Sequence, residues 1–359
     1  MLTTIVATGI VLGILIFVHE LGHFILAKKL GVKILKFSLG FGPKLIGKKI
    51  GETEYQIAVF PLGGFVKPLG EDPHEEVNTE EYHRSYWAQP IWKRALIIVA
   101  GPFFNFFLAV VLFSTINLFG IPYYPPKIGE VSPGLPAEEA GLKKGDSVLS
   151  INGEEVTRWD DLSKIIRNSN GKELLLKVKR DHEILEIQVT PKSSTQKNLF
   201  GEETDVFVIG ITPADEILVQ KVGPFEAVGK GLSQTWFGIK LTVVSIIKLI
   251  ERVVPAKTIG GPILIAQMAG EQAKRGLLSL AMFIAILSIN LGVINLIPIP
   301  ILDGGHFLFL SLEAILRKPL SIRKMEIAQQ IGLIFIILLM IFAFYNDLIR
   351  LFSPEGFKF

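Results

Sequence analysis

The sequence predicts a multi-span α-helical membrane protein, with about four transmembrane helices and a soluble α+β domain inserted between them. Two bulk properties support this fold class. The mean hydropathy of +0.46 is too high for an ordinary soluble chain of 359 residues. Charged residues nevertheless make up 20% of the chain, so part of it must face water. Long apolar segments separated by polar ones satisfy both observations.

Four segments are long and apolar enough to cross a bilayer, namely residues 5–26, 95–119, 277–297 and 327–344. The N-terminus lacks the basic start and the small-residue cleavage site of a removable signal peptide, so we expect the first segment to be retained. A fifth apolar segment, 225–254, carries interspersed charges. It is predicted to be an amphipathic helix at the membrane interface.

Basic residues indicate how the spans are oriented. They cluster after the first span, before the second, and between the third and the fourth, as Lys28, Lys29, Lys33, Lys36, Lys93, Arg94, Arg317, Lys318, Arg323 and Lys324. The positive-inside rule places these clusters in the cytoplasm. Both termini and residues 120–276 are then expected on the outer side. If segment 225–254 crossed the membrane, the third cluster would lie outside, against the rule.

The inserted domain shows short apolar runs typical of strands. The predicted strands are residues 127–131, 147–151, 174–180, 184–189 and 205–211. Asn152-Gly153 predicts a tight turn, residues 159–167 a short helix, and residues 193–198 a polar loop. A separate strand is expected at residues 54–60, before Gly63-Gly64. That region forms either a hairpin near the membrane face or a plain surface loop, because short apolar runs are ambiguous.

His19-Glu20-Leu21-Gly22-His23 is the most informative motif, because it lies inside the first apolar segment. Residues four apart share one face of a helix, so the two imidazoles can bind one zinc ion. Glu20 beside them can take a proton from water at the metal. Two histidines and a glutamate on an ordinary helix face are the alternative. Burying them in hydrocarbon costs several kcal/mol, about 2.5–3.5 for one charged side chain at mid-bilayer, which disfavours it.

A catalytic zinc site usually has three protein ligands, and the chain contains no cysteine. Asp303 is the candidate third ligand. It follows a stretch from Asn295 in which two prolines break the third span, and the orientation of the spans puts it at the same depth as the two histidines. Asp303 as a helix cap is the plainer alternative. His306 is a rival ligand, but three residues further along a helix it points elsewhere.

Three motifs in order resemble the site-2 protease family, and within it the bacterial regulator-of-sigma-E protease type. They are the histidine motif, Gly101-Pro102-Phe103-Phe104-Asn105 in the second span, and residues 295–304. The resemblance implies zinc ligands at His19, His23 and Asp303, and a catalytic base at Glu20. It also implies a role for Asn295 in holding the substrate strand or the oxyanion. Residues 63–71 resemble the family's membrane-associated hairpin, thought to present the substrate as an added strand.

The stretch from Pro136 to Asp146 resembles the PDZ domain of the same family. Some members carry two such domains in tandem, whereas this chain has room for one. The implied organisation is a first membrane part at 1–120, a PDZ domain at 121–214, and an interfacial helix with a second membrane part at 215–359. A rigid spacer is the alternative interpretation of the domain.

The resemblance implies an intramembrane zinc metalloprotease of the bacterial inner membrane that cuts within the transmembrane segment of single-span proteins. An anti-sigma factor or a remnant signal peptide would fit as substrate. Expected partners are such substrates, exported peptide segments at the PDZ domain, and the lipid bilayer. The net charge of +3 gives no sign of nucleic-acid binding, and we expect none.

Two other functions are compatible with parts of the sequence. A non-catalytic scaffold would keep the PDZ domain and leave the metal motif without a role. A zinc transporter would use intramembrane histidine and aspartate along an ion path. Transporters usually contain internal repeats, and no repeat is visible here. The intact metal motif together with Asp303 favours the protease.

Overall fold

The computed structural model describes residues 1–72 and 76–352, apart from the side chains of residues 60–62. The helices are α1 (Leu2–Lys29), α2 (Ile91–Phe119), α3 (Pro136–Glu139), α4 (Trp159–Arg167), α5 (Pro224–Ile250), α6 (Pro262–Arg275), α7 (Leu277–Asn295), α8 (Asp303–Leu316) and α9 (Ile322–Phe352). The strands are β1 (Ile34–Ile50), β2 (Thr53–Pro68), β3 (Ile121–Tyr123), β4 (Ile128–Val131), β5 (Ser147–Ile151), β6 (Glu154–Glu155), β7 (Leu174–Arg180), β8 (Glu183–Val189), β9 (Lys192–Lys197), β10 (Glu203–Val208), β11 (Ile211–Pro213) and β12 (Leu218–Gln220).

Four helices in the described part of the chain are long and apolar enough to cross a membrane, namely α1, α2, α7 and α9. The predicted fold class, four long apolar helices with an internal β-rich region, is confirmed. Helices α2 and α9 begin about one turn before their predicted apolar segments, because the more polar residues ahead of each segment are also helical. The protein is therefore a multi-pass membrane protein.

The chain divides into two compact units. The first comprises Met1–Ile116, Pro224–Ile247 and Pro255–Phe359, and it contains the apolar helices. Helix α6 packs along α1, where Gly270 lies so close to Thr4 that a side chain at position 270 would collide with it. Helix α5 packs on α7, where Thr242 Oγ1 donates to Oδ1 of Asn290 at 2.8 Å. These contacts join the amphipathic helices to the apolar ones.

Asp347, in the last turns of α9, is fully buried and anchors the start of α6. Its two carboxylate oxygens accept from the backbone N–H groups of Gly261, Ile263 and Leu264 at 2.9, 3.0 and 3.1 Å. These donors belong to the first turn of α6, which has no intrahelical acceptors for them. The carboxylate of one helix thus caps the N-terminus of another.

Strand β2 folds back so that β1 is paired on both of its edges. Phe37 of β1 lies opposite Tyr55 on one side and Val66 on the other. The segment 64–68 is therefore an edge strand, with no strand on its outer side among the described residues. This region is thus a β-hairpin with an added third strand, not a plain surface loop.

The second unit, Asn117–Gly223 with Lys248–Val254, is β-rich and has its own apolar core. Strands β6, β5, β7 and β8 form a four-stranded sheet, and α4 contributes Leu162 and Ile166 to the core beneath it. The polar loop predicted at 193–198 is wrong, because this segment is strand β9, paired with β10. Its residues are mostly exposed on both faces, so the apolar alternation that signals a strand is missing.

A buried carboxylate forms an ion pair in the second unit. Arg180, at the end of β7, donates to both carboxylate oxygens of Asp146 at 2.8 Å, and the backbone N–H of Lys143 donates to the same carboxylate. Burial of Asp146 raises its pKa, but these hydrogen bonds outweigh burial and hold the pKa below its usual range. The pair fixes the turn that leads into β5.

Candidate metal centre and cavity

Helix α1 presents His19 and His23 on one face, as their spacing predicts. The Nε2 atoms of the two rings are 3.2 Å apart. The helix can approach α2 closely because Gly22 faces the backbone of Ala100, where any side chain would collide. Gly101 of α2 likewise faces both imidazoles, and a Cβ there would lie within 3 Å of each ring. Only glycine fits at these two positions, because there is no room for a side chain.

Asp303 meets the two imidazoles from the start of α8. Its Oδ2 lies 3.2 Å from Nε2 of His19, and its Oδ1 lies 3.6 Å from Nε2 of His23. The N-cap residue of α8 is Leu302, and no side chain caps the helix. Asp303 is therefore not a helix cap, and the capping alternative is wrong. The loop after α7 packs against Gly304 and Gly305 so tightly that a Cβ at either position would meet its backbone.

One ligand atom from each of His19, His23 and Asp303 lies within 4.8 Å of the others. The donor set of two imidazoles and one carboxylate matches catalytic zinc sites that keep one open position. Oδ2 of Asp303 is buried, yet it makes no hydrogen bond to any described residue. A buried oxygen without such a bond needs a partner, and a metal ion would supply one.

The outer nitrogen of His23 supports the same assignment. Its Nδ1 lies 2.8 Å from the backbone carbonyl oxygen of Ile97. A carbonyl can only accept, so Nδ1 carries the proton, and in the neutral ring that a metal requires Nε2 keeps its lone pair. Metal-binding histidines commonly hold their tautomer in this way.

Glu20 and Asn295 lie beside the three candidate ligands. The carboxylate of Glu20 accepts from the backbone N–H of Val66 in the edge strand. Nδ2 of Asn295, the last residue of α7, is 3.5 Å from Nε2 of His19. All five predicted site residues therefore converge in the structure.

The site opens into a cavity of about 720 Å³. One wall is the edge strand, through Phe65, Val66, Lys67 and Pro68. Other walls come from the segment before α2, from α8 and from the start of α9, as Glu71, Tyr86, Trp87, His306, Glu313, Met325 and Gln329. His306, the rival ligand, lines the cavity but is outside the ligand group found among the described residues.

Two contacts of the site were not predicted from the residues, although the family resemblance placed Asn105 and the hairpin near it. Asn105 is fully buried with Nδ2 3.0 Å from Nδ1 of His19, and the pairing of segment 64–68 places an open strand edge at Glu20. The four-residue spacing of Gly101 and Asn105, which puts both on the face towards α1, was the available signal for the first.

The chain is similar to known proteins over nearly its whole length. The sequence profile of peptidase family M50 matches residues 7–339. The regulator of sigma-W protease RasP of Bacillus subtilis is 32% identical over 97% of this chain and 99% of its own length. The zinc metalloprotease RasP of Geobacillus kaustophilus is 31% identical over 98% and 99%, and a Campylobacter jejuni protein that carries a zinc metalloprotease name is 36% identical over 96% and 93%.

Proposed function

Because the chain belongs to peptidase family M50, the site-2 proteases, and is an intramembrane zinc metalloprotease, we propose that it hydrolyses a peptide bond within the transmembrane segment of single-span membrane proteins. The observation that carries the proposal is the convergence of His19, His23 and Asp303 beside Glu20, on a cavity bordered by an open strand edge. Anti-sigma factors and remnant signal peptides are single-span substrates of this kind.

We assign the zinc ligands to Nε2 of His19, Nε2 of His23 and the carboxylate of Asp303. The chemistry that zinc supplies when bound is Lewis acidity towards water and towards a peptide carbonyl. Glu20 accepts the proton of the attacking water and later delivers it to the leaving nitrogen. The N–H of Val66 holds this carboxylate in place. Asn295 donates from Nδ2 to the developing oxyanion, a contact that typically lowers the barrier by about 3–4 kcal/mol.

The edge strand 64–68 binds the substrate backbone. A transmembrane helix hides its peptide groups in its own hydrogen bonds, so the substrate must unwind before attack. An extended segment can pair with the free edge of this strand and replace those lost bonds. Helix-breaking residues near the cleaved bond should therefore speed cleavage.

We also propose the domain organisation that the sequence predicts. Residues 1–120 and 215–359 form the membrane parts, α5 lies at the interface, and residues 121–214 act as a PDZ domain that binds exported peptide segments. The β-rich second unit supports this assignment. The basic clusters support an outward PDZ domain and an active site near the cytoplasmic side of an inner membrane.

Orientation can be tested directly because the chain contains no cysteine. Ser193→Cys and Lys318→Cys each introduce a single exposed thiol. A membrane-impermeant thiol reagent added to intact spheroplasts should label position 193, and should label position 318 only after permeabilisation. The reverse pattern would overturn the orientation.

The catalytic proposal is tested with Glu20→Gln in the full chain. This variant should keep its zinc and its fold but abolish cleavage of a membrane-anchored substrate, because the amide cannot take up the proton. Glu154→Gln, at an exposed position in β6, is the matched control and should cleave normally. His19→Ala and Asp303→Ala should lose zinc as well as activity. Full cleavage by Glu20→Gln would remove the mechanism.

A further inference from the structure

We propose that Asn105 is a positioning residue for His19, whose side-chain oxygen accepts a hydrogen bond from Nδ1–H and thereby leaves Nε2 free for the metal. The inference rests on the proposed function, in which His19 binds zinc through Nε2. It adds a residue of α2 to a site whose ligands come from α1 and α8.

The position of Asn105 is fixed from two sides. Its side chain contacts Nδ1 of His19 at 3.0 Å, and its backbone carbonyl accepts from Oγ of Ser288 in α7 at 2.7 Å. Both Asn105 and Ser288 are fully buried. A side chain packed this tightly in a helix interface has few rotamers available, so it can hold an imidazole ring in one orientation.

The hydrogen-bond inventory is compatible with either end of the amide facing His19, and the tautomer of this histidine decides between them. With Nδ2 towards the ring, Oδ1 is buried and makes no hydrogen bond within the described residues. The oxygen and nitrogen of an amide have nearly the same shape, so their assignment must come from the surrounding network. Turning the amide over brings the unpartnered oxygen to Nδ1.

The tautomer of His19 requires that orientation. Its Nε2 faces Asp303 and Nε2 of His23, so the lone pair that binds a metal must be on Nε2. A neutral imidazole then carries its proton on Nδ1, and this N–H needs an acceptor. His23 has the same arrangement, with the carbonyl of Ile97 as its acceptor. Helix α2 thus supplies the outer acceptor for both rings.

The test compares zinc dissociation constants of full-length variants in detergent, measured by competition with a chromophoric chelator. Asn105→Leu removes the acceptor and should weaken zinc binding about 10–100-fold. Asn105→Asp keeps an acceptor and has no donor, so it should bind zinc within about threefold of the wild type or more tightly. Ser114→Ala, which removes a buried hydroxyl elsewhere on α2, is the control and should change nothing.

Each outcome decides a different statement. Loss of zinc by Asn105→Asp as large as that of Asn105→Leu would mean that the amide donates to Nδ1, which overturns the inference. Unchanged affinity in Asn105→Leu overturns it as well. If Asn105→Leu does not fold, the comparison of Asn105→Asp with the wild type decides alone. If His19→Ala keeps full zinc affinity, the proposed metal site fails, and the role of Asn105 fails with it.

Discussion

The ion pair between Arg94 and Glu313 is predicted to hold the two halves of the metal centre together. Arg94 Nη2 lies 2.6 Å from Oε1 of Glu313, and the two side chains are only 5% and 14% exposed. Arg94 lies in the first turn of α2, which carries Gly101 and Asn105, and Glu313 lies on α8, which begins with Asp303. The pair therefore joins the helix that backs the imidazoles to the helix that supplies the carboxylate.

Removing one member should cost far more than removing both. A single substitution leaves a buried charge without its partner, which typically destabilises a protein by about 3–5 kcal/mol. Glu313→Met should lie at the upper end, because Arg94 is the more deeply buried and, among the described residues, keeps only the carbonyl of Gln89 and the face of Trp87 as partners. Arg94→Met should lie at the lower end.

The double variant Arg94→Met/Glu313→Met should recover most of this loss, because two apolar side chains need no partner. Nη1 of Arg94 makes no hydrogen bond among the described residues, so the native pair is itself imperfectly compensated. The coupling energy, obtained from the two single variants and the double variant, should therefore reach several kcal/mol.

The assay is equilibrium unfolding in mixed detergent micelles, with zinc content measured on the same samples. Single variants that lose less than about 1 kcal/mol would show that water reaches the pair, as it does at surface salt bridges. A double variant whose loss equals the sum of the two single losses would show that the two residues do not interact. Either result would refute the reasoning.

Three further predictions concern other buried contacts. Gly101→Ala should weaken zinc binding about tenfold or more, because its Cβ would collide with both imidazoles, whereas Gly13→Ala, with open space around it, should bind normally in the same chelator competition. The lowered pKa of Asp146 means that its pair with Arg180 stabilises the second unit fully above the ordinary carboxyl pKa of about 4, and that this contribution is lost as the pH falls towards the lowered value. Circular dichroism of thermal unfolding at pH 7 down to pH 3 should show this loss, and Asp146→Asn should be less stable at pH 7 with a flatter dependence. Asp347→Asn should lower the free energy of unfolding by about 1–3 kcal/mol, because an amide NH₂ would face backbone N–H groups. Unchanged unfolding of this last variant would show that the cap of α6 contributes nothing.

The spans and the motif could be predicted because they depend on local spacing. Four long apolar segments specify four helices, and a four-residue interval puts His19 and His23 on one face. The prolines after Asn295 indicated a break that would bring Asp303 to the membrane interior. Each of these features is determined by residues that are neighbours along the chain or along one helix turn.

The remaining features depend on which distant segments meet. Nothing local marks Glu313 as the partner of Arg94, or Asp347 as the cap of a helix some eighty residues earlier. The edge strand was ambiguous because β2 turns back on itself, which a pattern of alternating residues cannot reveal. Strand β9 was missed for the opposite reason, since its polar residues carry no alternation at all.

The division of the metal centre between α1 and α8 has a consequence for biosynthesis. His19 and His23 emerge from the ribosome early, but Asp303 emerges only after the segment 24–302 has been translated. On the proposed ligand assignment, a nascent chain that ends before Asp303 holds only two of the three zinc ligands. We therefore expect the newly made polypeptide to lack hydrolytic activity until the third apolar helix and the turn that follows it have joined the bundle.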